Sequence, residues 1–398
     1  MKRDTERIKL IQRALGEAEM DAVVCALPVN VLLLSGYWPV VGTALSIAAR
    51  DGRIVILAPK DEQEFAQRGW ADEVRTFEAG SLDWIKSVFE VVQTPLVGAA
   101  KDLGLGRGSI IGYEESIYEP ASYAAMNLYG TSMLRLLSQT FRFASLLPAG
   151  TLLQRLRTIK TPTEVGRIRA ACQIAGQAFR TGSRTLCAGL KETEAAALFR
   201  TPLSTEATGD DHLMRADGFT FCMSGANGAG AYAAFQRSGL KKIAPEELVL
   251  LHCNSYLDGY WTDITRTYCM GEPDERKSEM YNAVFSAREA AISVIRPGVK
   301  ASDVDAAARE VMEARGFGER FKHGLGHGVG FAAINHNAHP CLHPKSDEIL
   351  KTGMVFNVEP AIYIDGYGGL RHCDMVAVTE DGVEVLTPFQ SKIGALII

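Results

Sequence analysis

A hairpin signal restricts the fold of this chain more than any other feature of its sequence. Asp258 and Gly259 lie between two strand-like runs of residues, 247–256 and 261–268. The dipeptide Asp-Gly favours a two-residue turn of type I′, in which both turn residues adopt a positive φ. We therefore expect the two runs to pair as antiparallel strands in one fixed register.

The expected register brings two polar side chains to one face of the sheet. Counting outward from the turn places His252 opposite Thr265. Asp263 shares the face of Thr265, because side chains alternate along a strand with a period of two. His252 and Asp263 then form a diagonal pair ~7 to 8 Å apart, so a single metal ion could contact both side chains. The alternative is a core histidine next to a carboxylate that only accepts hydrogen bonds.

A second group of polar residues begins in a glycine-rich run, 323–330. Glycine at every second position disfavours a helix. In an extended strand His323 and His327 stand roughly 13 Å apart, so only one of them is expected to bind a given ion. His336 and His339 follow a few residues later, and either one could act as an acid or a base.

A third group lies in a further predicted hairpin. A strand-like run ends at Glu359, and residues 370–378 are expected to pair with it. Alternation places Arg371 and Cys373 on one face of the second strand and His372 on the other, so Cys373 and His372 cannot both enter one site. A carboxylate ahead of a proline is also common as a plain surface residue, so Glu359 alone does not establish a site.

The order of the predicted elements indicates two domains with different architectures. Helical and strand-like segments alternate over residues 1–150, which is typical of an α/β unit with a central sheet. Helices and hairpins make up residues 151–398, which favours an α+β fold with an antiparallel sheet. Seven of the eight histidines fall between residues 252 and 372, so any chemistry is expected in the second domain.

Composition and charge exclude several classes of protein. The chain has 398 residues, of which 47% are hydrophobic and 22% charged, as is typical of a folded globular protein. The net charge of -5 and the lack of a basic stripe argue against nucleic acid as a partner. No apolar run is long enough for a membrane-spanning helix, and the first residues lack the apolar core of a secretory signal. We therefore expect a cytoplasmic protein with reduced cysteines.

Four motifs, in this order, resemble those of the pita-bread family, which contains methionine aminopeptidases, Xaa-Pro aminopeptidases, prolidases and creatinases. The motifs are Asp258–Thr267, Gly326–Gly330, Asn357–Pro360 and Gly368–Asp374. The resemblance covers nearly the whole chain. It implies an α+β fold: a pita-bread catalytic domain at residues 151–398, with a curved antiparallel sheet and helices, preceded by a creatinase-type α/β N-terminal domain at residues 1–150.

The resemblance also implies a metal site in an altered form. In the peptidases of the family, two divalent ions are held by two Asp, one His and two Glu, with a bridging water as the nucleophile. Asp263, His327 and Glu359 match three of these positions. His252 stands at the first Asp position, and Cys373 stands at the final Glu position. Histidine and cysteine are themselves metal ligands, so all five residues are candidate ligands for one ion or for two.

Further residues gain roles from the resemblance. Tyr232 stands where the family usually carries a substrate-side histidine. Ile334 stands at the position of another expected histidine, so His336 is the nearest candidate for its role. We expect His336 and Glu359 to take part in catalysis, with His336 handling protons, and Arg371 and Tyr232 to orient the substrate.

Together these features predict a hydrolase of a C–N bond in a small peptide or small amide. The first hypothesis is a metal-dependent Xaa-Pro dipeptidase or aminopeptidase, and a ligand set with His and Cys favours zinc or iron over manganese or cobalt. One alternative is a metal-free hydrolase of a small non-peptide, similar to creatinase or ectoine hydrolase. Another is a non-catalytic binding module. The resemblance implies a homodimer, with neither nucleic acid nor a membrane as a partner.

Overall fold

The computed structural model describes residues 3–39, 44–114, 131–206, 215–232, 238–332, 335–336 and 338–398. The chain divides into two units, Met1–Arg157 and Thr158–Ile398. The boundary expected from the sequence, at residue 150, is the first residue of the helix Gly150–Thr158, and the division between the units falls at the end of that helix. None of the helices in the described ranges has the length and apolar character needed to cross a membrane.

The first unit contains one mixed sheet of six strands. Several of its strands consist mostly of aliphatic residues and are buried along their whole length, which is typical of a sheet covered by helices. The strands are β1 (Ala22–Cys25), β2 (Leu45–Ala49), β3 (Ile54–Pro59), β4 (Glu73–Phe77), β5 (Ile110–Tyr113) and β6 (Ser145–Pro148), in the order β4-β3-β2-β1-β5-β6. The helices are α1 (Thr5–Glu17), α2 (Pro28–Ser35), α3 (Gln63–Gln67), α4 (Val88–Asp102) and α5 (Thr131–Thr140), and α6 (Gly150–Thr158) follows.

The second unit is α+β, and the strands paired within its described residues are all antiparallel. Its helices are α7 (Pro162–Ser183), α8 (Glu192–Thr205), α9 (Glu275–Val294) and α10 (Ala301–Ala314). Its strands are β7 (Ala216–Ser224), β8 (Leu248–Leu257), β9 (Tyr260–Trp261), β10 (Ile264–Cys269), β11 (Val355–Val358), β12 (Ala361–Ile364), β13 (Gly368–Arg371), β14 (Asp374–Val378) and β15 (Val383–Val385). The sheets have the orders β10-β8-β7, β11-β14-β15 and β12-β13, with β9 paired to β8. The predicted fold class is confirmed.

Local sequence explains where two long helices of the second unit begin. Helix α7 follows a capping box, in which the Thr161 hydroxyl accepts from the Glu164 N–H and the Glu164 carboxylate accepts from the Thr161 N–H. Pro162 occupies the first position of α7, where no N–H is needed. Helix α9 begins after Asp274, whose carboxylate accepts from the N–H of Lys277. The helix starts therefore follow from short sequence patterns.

The hairpin predicted at Asp258 and Gly259 is present. The two residues have positive φ values of 47° and 85°, as a type I′ turn requires. Strand β8 pairs with β9 and β10 in one continuous register, in which His252 lies opposite Thr265. Asp263 lies in the short segment that joins β9 to β10. The predicted register is confirmed.

The hairpin predicted after Glu359 is also present, but it is interrupted at its centre. Strand β11 pairs with β14, β12 pairs with β13, and both pairings share one register. Glu359 and Cys373 fall opposite each other in that register, within the interruption. A β-bridge between Cys373 and Thr265 connects this hairpin to the first one. Cys373 and Glu359 are thereby brought next to the strand that follows Asp263.

Candidate metal centre

Three buried side chains form a cluster where the two hairpins meet. Carboxylate oxygens of Asp263 and Glu359 and the sulfur of Cys373 all lie within 4.8 Å of one another. The Cys373 thiol donates to the carbonyl oxygen of Asp263, with an Sγ–O distance of 3.2 Å, and lies 3.8 Å from Oδ1 of the same residue. Two buried carboxylates this close repel each other unless a cation or a proton lies between them.

His327 joins the cluster from a third segment. Its Nε2 lies 3.7 Å from Oδ2 of Asp263 and 4.0 Å from Oε1 of Glu359. Its Nδ1 lies 3.1 Å from the carbonyl oxygen of Gly328, which can only accept, so Nδ1 carries the hydrogen and Nε2 keeps its lone pair. That lone pair also faces Nδ2 of Asn357 at 3.3 Å. A ring oriented by a backbone carbonyl in this way is typical of a metal-binding histidine.

Close backbone packing fixes the position of His327. The Asn357 N–H donates to the carbonyl oxygen of His327, and the His327 N–H donates to Oδ1 of Asn357. A Cβ atom at Gly326 would stand 2.0 Å from the carbonyl oxygen of Asn357, and one at Gly328 would stand 2.0 Å from the carbonyl oxygen of His339. The glycines flanking His327 therefore allow this segment of the chain to lie against its neighbours.

Replacing Gly326 with alanine is expected to lower the free energy of unfolding by about 3 kcal/mol, because the new Cβ forces two backbone segments apart. Denaturant unfolding measures the change. Gly166→Ala is the matched control in the same unit, since a Cβ at that helical position meets only the Arg169 side chain, at 4.0 Å. The control should be neutral or stabilising by up to ~1 kcal/mol. Similar small effects at both positions would contradict the close approach at Gly326.

The glycine-rich run contributes one of its two histidines to the cluster. His323 lies elsewhere: its Nε2 is 3.0 Å from the hydroxyl of Tyr363, and its Nδ1 is 2.8 Å from the carbonyl oxygen of Gly324. The expectation that only one of the pair can reach a given ion therefore agrees with the positions of His323 and His327.

His252 is near the cluster but takes part in hydrogen bonds of its own. Its Nδ1 lies 3.8 Å from Oδ1 of Asp263. The same nitrogen lies 3.0 Å from Nη2 of Arg371 and 2.9 Å from Oγ1 of Thr265, while Nε2 lies 2.9 Å from Oδ1 of Asn254. Burial lowers the pKa of His252 to about 4, with Asp263 opposing the shift and Arg371 reinforcing it. The ring is therefore neutral near pH 7.

Arg371 lies beside the cluster and is buried. Its Nε donates to Oγ1 of Thr265 at 3.0 Å and lies 3.9 Å from Oε2 of Glu359. Its Nη1 lies 3.5 Å from the hydroxyl of Tyr363. A guanidinium stays protonated in proteins, so Arg371 adds a permanent positive charge to the site.

The two carboxylates differ in their electrostatic surroundings. Burial raises the pKa of Glu359 to about 7, and the negative charge of Asp263 adds to the effect while Arg371 opposes it. For Asp263, burial also acts to raise the pKa, but His252, His327 and Arg371 outweigh it and lower the pKa below its ordinary value. Without an ion, Glu359 is therefore the carboxylate that holds a proton more readily.

The two remaining predicted residues lie at the margin of the cluster. His336 is exposed on one side, and the centre of its ring is 4.9 Å from that of His327. Desolvation of its ring and the nearby His327 lower the pKa of His336 to about 4. Tyr232 is 42% exposed, and its ring centre lies 5.5 Å from that of Tyr363. Ile334, at the position of the expected family histidine, lies outside the described residues.

Sequence reasoning did not assign four polar residues that form hydrogen bonds with the candidate ligands or with Arg371. They act through the hydrogen bonds given above and are Asn254, Thr265, Asn357 and Tyr363. The period of two along a strand contains part of the signal, because Asn254 is two residues from His252 and Asn357 is two residues from Glu359. Tyr363 has no such signal, since it approaches His323 and Arg371 from another strand.

The donor set fits a divalent metal ion. Asp263, Glu359, His327 and Cys373 offer two carboxylates, one imidazole nitrogen with its lone pair free of hydrogen, and one sulfur. Thiolate and imidazole donors favour zinc or iron over magnesium or calcium. Burial raises the pKa of the Cys373 thiol well above its ordinary value, and Asp263 and Glu359 raise it further. A bound ion would therefore have to displace the thiol proton.

Comparison with protein families assigns both units. The model of metallopeptidase family M24 matches residues 166–380, which is just over half of the chain. The model of the creatinase/prolidase N-terminal domain matches residues 7–159. The two matches together cover most of both units.

Individual proteins and solved structures agree with this assignment. The chain is 28% identical to the Xaa-Pro dipeptidase of Pyrococcus furiosus over 394 residues, which is 98% of this chain and 99% of that protein. It is 25% identical to the solved Xaa-Pro dipeptidase from Bacillus anthracis, with a TM-score of 0.79 and coverage of 99% of both chains. The prolidase from Pyrococcus horikoshii OT3 is 26% identical, with a TM-score of 0.76 and coverage of 98% of this chain and 99% of that one. The chain is therefore a hydrolase that belongs to metallopeptidase family M24 and has the two-domain, pita-bread fold.

Proposed function

We propose that this chain is a metal-dependent peptidase that hydrolyses the bond before proline in Xaa-Pro dipeptides or short peptides. The observation that carries the proposal is the meeting of Asp263, His327, Glu359 and Cys373 in one buried cluster. The substrate class is supported by relatives named Xaa-Pro dipeptidase, one of which matches over almost its full length. As the resemblance implies, the enzyme would act on small peptides as a cytoplasmic homodimer.

The metal-binding residues would be these four, with zinc or iron as the ion. When bound, such an ion polarises the scissile carbonyl and supplies a water whose pKa is lowered to about 7. His327 presents the required nitrogen, because its other ring nitrogen is held by the carbonyl oxygen of Gly328. Asn357 holds the backbone of the same histidine in place. The protein thus orients the ligand before an ion arrives.

Proton transfer would fall to His336. It lies next to His327 and keeps one side exposed, so it can exchange protons with both substrate and solvent. Its lowered pKa leaves the ring neutral near pH 7, which is the form that accepts a proton. Tyr232 is partly exposed, and Arg371 supplies a fixed positive charge beside Glu359, so these two residues would orient the substrate.

A second candidate function is metal-free hydrolysis of a small non-peptide amide. The observation that favours it is the substitution of three positions at once, since His252, Cys373 and Tyr232 stand where the peptidases of the family carry Asp, Glu and His. Overall fold does not separate the two candidates, because one fold hosts several chemistries. They differ in whether activity depends on a metal.

An assay with and without metal separates the candidates. Purified protein should cleave a set of Xaa-Pro dipeptides, a chelator should reduce the rate to background, and zinc or iron should restore it better than manganese or cobalt. Dipeptides with alanine in place of proline are the matched control and should be poorer substrates. Inactivity on every peptide with each of the four metals would contradict the peptidase proposal. Hydrolysis of a small amide that survives the chelator would support the metal-free candidate instead.

A further inference from the structure

Three aromatic side chains lie together at the end of the sheet where β8 turns into β9. The ring of Trp261 stacks on that of Phe219, with 5.7 Å between their centres and 19° between their planes, and its centre is 4.7 Å from that of Tyr256. Phe219 is 44% exposed, and the other two residues are half-buried. Together, Phe219, Tyr256 and Trp261 form an aromatic strip. A contiguous apolar surface that stays open to solvent is typical of a binding site.

The strand register places the aromatic strip on the same face of the sheet as His252. Phe219 pairs with Asn254, which is two residues from His252, and side chains alternate along a strand with a period of two. Tyr256 lies two residues further along and pairs with Trp261. Successive side chains on one face are roughly 7 Å apart, so Phe219 is one such step from His252. The strip therefore continues the face of the metal centre toward the turn.

Other contacts agree with this assignment of the faces. The ring of Phe221 lies nearly parallel to that of His252, with 6.2 Å between their centres and 11° between their planes. Thr220 points to the opposite side of β7, where its hydroxyl donates to the carbonyl oxygen of Ala196 in α8. Helix α8 thus covers the other face of β7, and the face with Phe219 leads to the metal centre.

In the other direction, the same face leads from His252 to Tyr232. Leu250 is two residues from His252 on the side away from the strip, and it belongs to one hydrophobic cluster with Tyr363. The ring centre of Tyr363 is 5.5 Å from that of Tyr232. Tyr232 therefore lies at the end of the site opposite the aromatic strip.

A positive charge accompanies Tyr232. Nζ of Lys322 lies 4.7 Å from the centre of the Tyr232 ring, in a cation–π contact. The same ammonium lies 3.3 Å from a carboxylate oxygen of Asp365, whose side chain is 78% exposed. Because solvent screens that ion pair, the ammonium remains able to attract the carboxylate of a bound molecule.

The two ends of the site match the two ends of an Xaa-Pro dipeptide. The proline end carries the free carboxylate, and the other end carries the variable side chain. With the scissile bond at the metal centre, Lys322 would attract the carboxylate. The side chain of the Xaa residue would then point along the sheet toward Phe219, which is one step of roughly 7 Å from His252.

We propose that the aromatic strip binds the side chain of the residue before proline and makes the enzyme selective for aromatic residues at that position. The inference rests on the proposed peptidase function and narrows its substrate class. Phe219 and Trp261 are the specificity-determining residues, because an aromatic side chain can pack edge-on or offset against their rings and bury its apolar surface. An alanine side chain is too short to cover the strip.

Kinetics on matched dipeptides test the selectivity. The kcat/KM for Phe-Pro should exceed that for Ala-Pro by about 30-fold, because the aromatic side chain buries more apolar surface than a methyl group does. Phe219→Ala should reduce this ratio by about tenfold. Phe143→Ala is the matched control and should leave the ratio unchanged, since Phe143 is 64% exposed and belongs to the first unit. Equal kcat/KM values for the two dipeptides, or an unchanged ratio in Phe219→Ala, would overturn the inference and leave the peptidase function intact.

Binding of free amino acids gives a readout that needs no hydrolysis. Calorimetric titration of the purified full-length protein should show that L-phenylalanine binds about tenfold more tightly than L-alanine, and Phe219→Ala should remove most of the difference. Trp261→Leu is a second variant with the same expected loss, and circular dichroism confirms that both variants fold. A wild type that cleaves dipeptides but binds the two amino acids equally would contradict the role of the strip. A wild type that binds phenylalanine through Phe219 but cleaves no dipeptide would contradict the peptidase function alone.

Discussion

Purified Cys373→Ser and His327→Ala variants should retain less than about a tenth of the metal bound by the wild type and lose about a thousandfold in kcat/KM on an Xaa-Pro dipeptide. Each substitution removes one of the four proposed ligands. The loss in rate corresponds to about 4 kcal/mol of transition-state stabilisation. Elemental analysis and initial-rate kinetics measure the two effects separately.

A neighbouring cysteine supplies the control for this experiment. Cys253 is buried and pairs with Ile264, so it points to the face opposite that of His252. Cys253→Ser should therefore keep the metal content of the wild type. Full metal content in Cys373→Ser as well would show that the Cys373 thiol only packs against its neighbours.

The pH dependence of metal binding offers a further readout on the same residues. Burial raises the pKa of Cys373 well above its ordinary value and that of Glu359 to about 7. Both groups must lose their protons to bind an ion, so the apparent affinity should increase as the pH rises from about 6 to 8. The increase should be smaller in Cys373→Ser, because serine does not need to release a proton in this range.

Replacing Asp374 with asparagine should lower the free energy of unfolding by about 3 to 5 kcal/mol, which denaturant unfolding measures. Oδ1 of Asp374 accepts from Nη2 of Arg266 and from the Thr387 hydroxyl, both at 2.7 Å, and Oδ2 accepts from Nε of Arg288. The side chains of Asp374 and Arg266 are 0% exposed. The variant therefore leaves a guanidinium charge in the interior without its carboxylate.

An exposed ion pair supplies the control. Asp217 lies 3.4 Å from Arg200, and both side chains are at least one third exposed. Because solvent screens such pairs, Asp217→Asn should cost no more than about 1 kcal/mol. Equal losses in the free energy of unfolding for Asp374→Asn and Asp217→Asn would show that burial does not strengthen the contribution of the pair between Asp374 and Arg266.

The difference in the free energy of unfolding between the wild type and Asp374→Asn should also depend on pH in a defined way. Burial acts to raise the pKa of this carboxyl, but Arg266 and His372 hold it well below its usual range. A carboxyl whose pKa is lowered by folding stabilises the folded protein fully at pH values above its pKa in the unfolded chain, which is about 3.9. This stabilisation disappears only as the pH falls toward the pKa of the carboxyl in the folded protein. The difference between wild type and Asp374→Asn should therefore stay constant from pH 7 to about 5. A difference that shrinks within that interval would contradict this account.

Local chemistry made the two hairpins predictable. The turn at Asp258 and Gly259 sets the register of its strands without reference to the rest of the chain, and the period of two then places His252 and Asp263 on one face. The same period places Arg371 and Cys373 on one face of the second hairpin. These relations involve residues a few positions apart, so the sequence contains them directly.

The interruption of the second hairpin depends on a longer-range arrangement. Pro360 has no N–H to donate to the ladder, yet its carbonyl oxygen still accepts from the N–H of His372 at 3.3 Å. At this point Cys373 pairs instead with Thr265, which belongs to the other hairpin. A pattern of strand residues alone does not contain that exchange of partners.

Short sequence patterns were sufficient to predict the family, the fold class and the strand face on which each side chain lies, because turn residues and alternation act within a few positions. The partner of each polar atom in the cluster depended on the folded chain. Arg371 reaches His252 across 119 residues of sequence, and Cys373 reaches Asp263 across 110. Hydrogen bonds between segments this far apart in sequence form only when the folded chain brings the segments together.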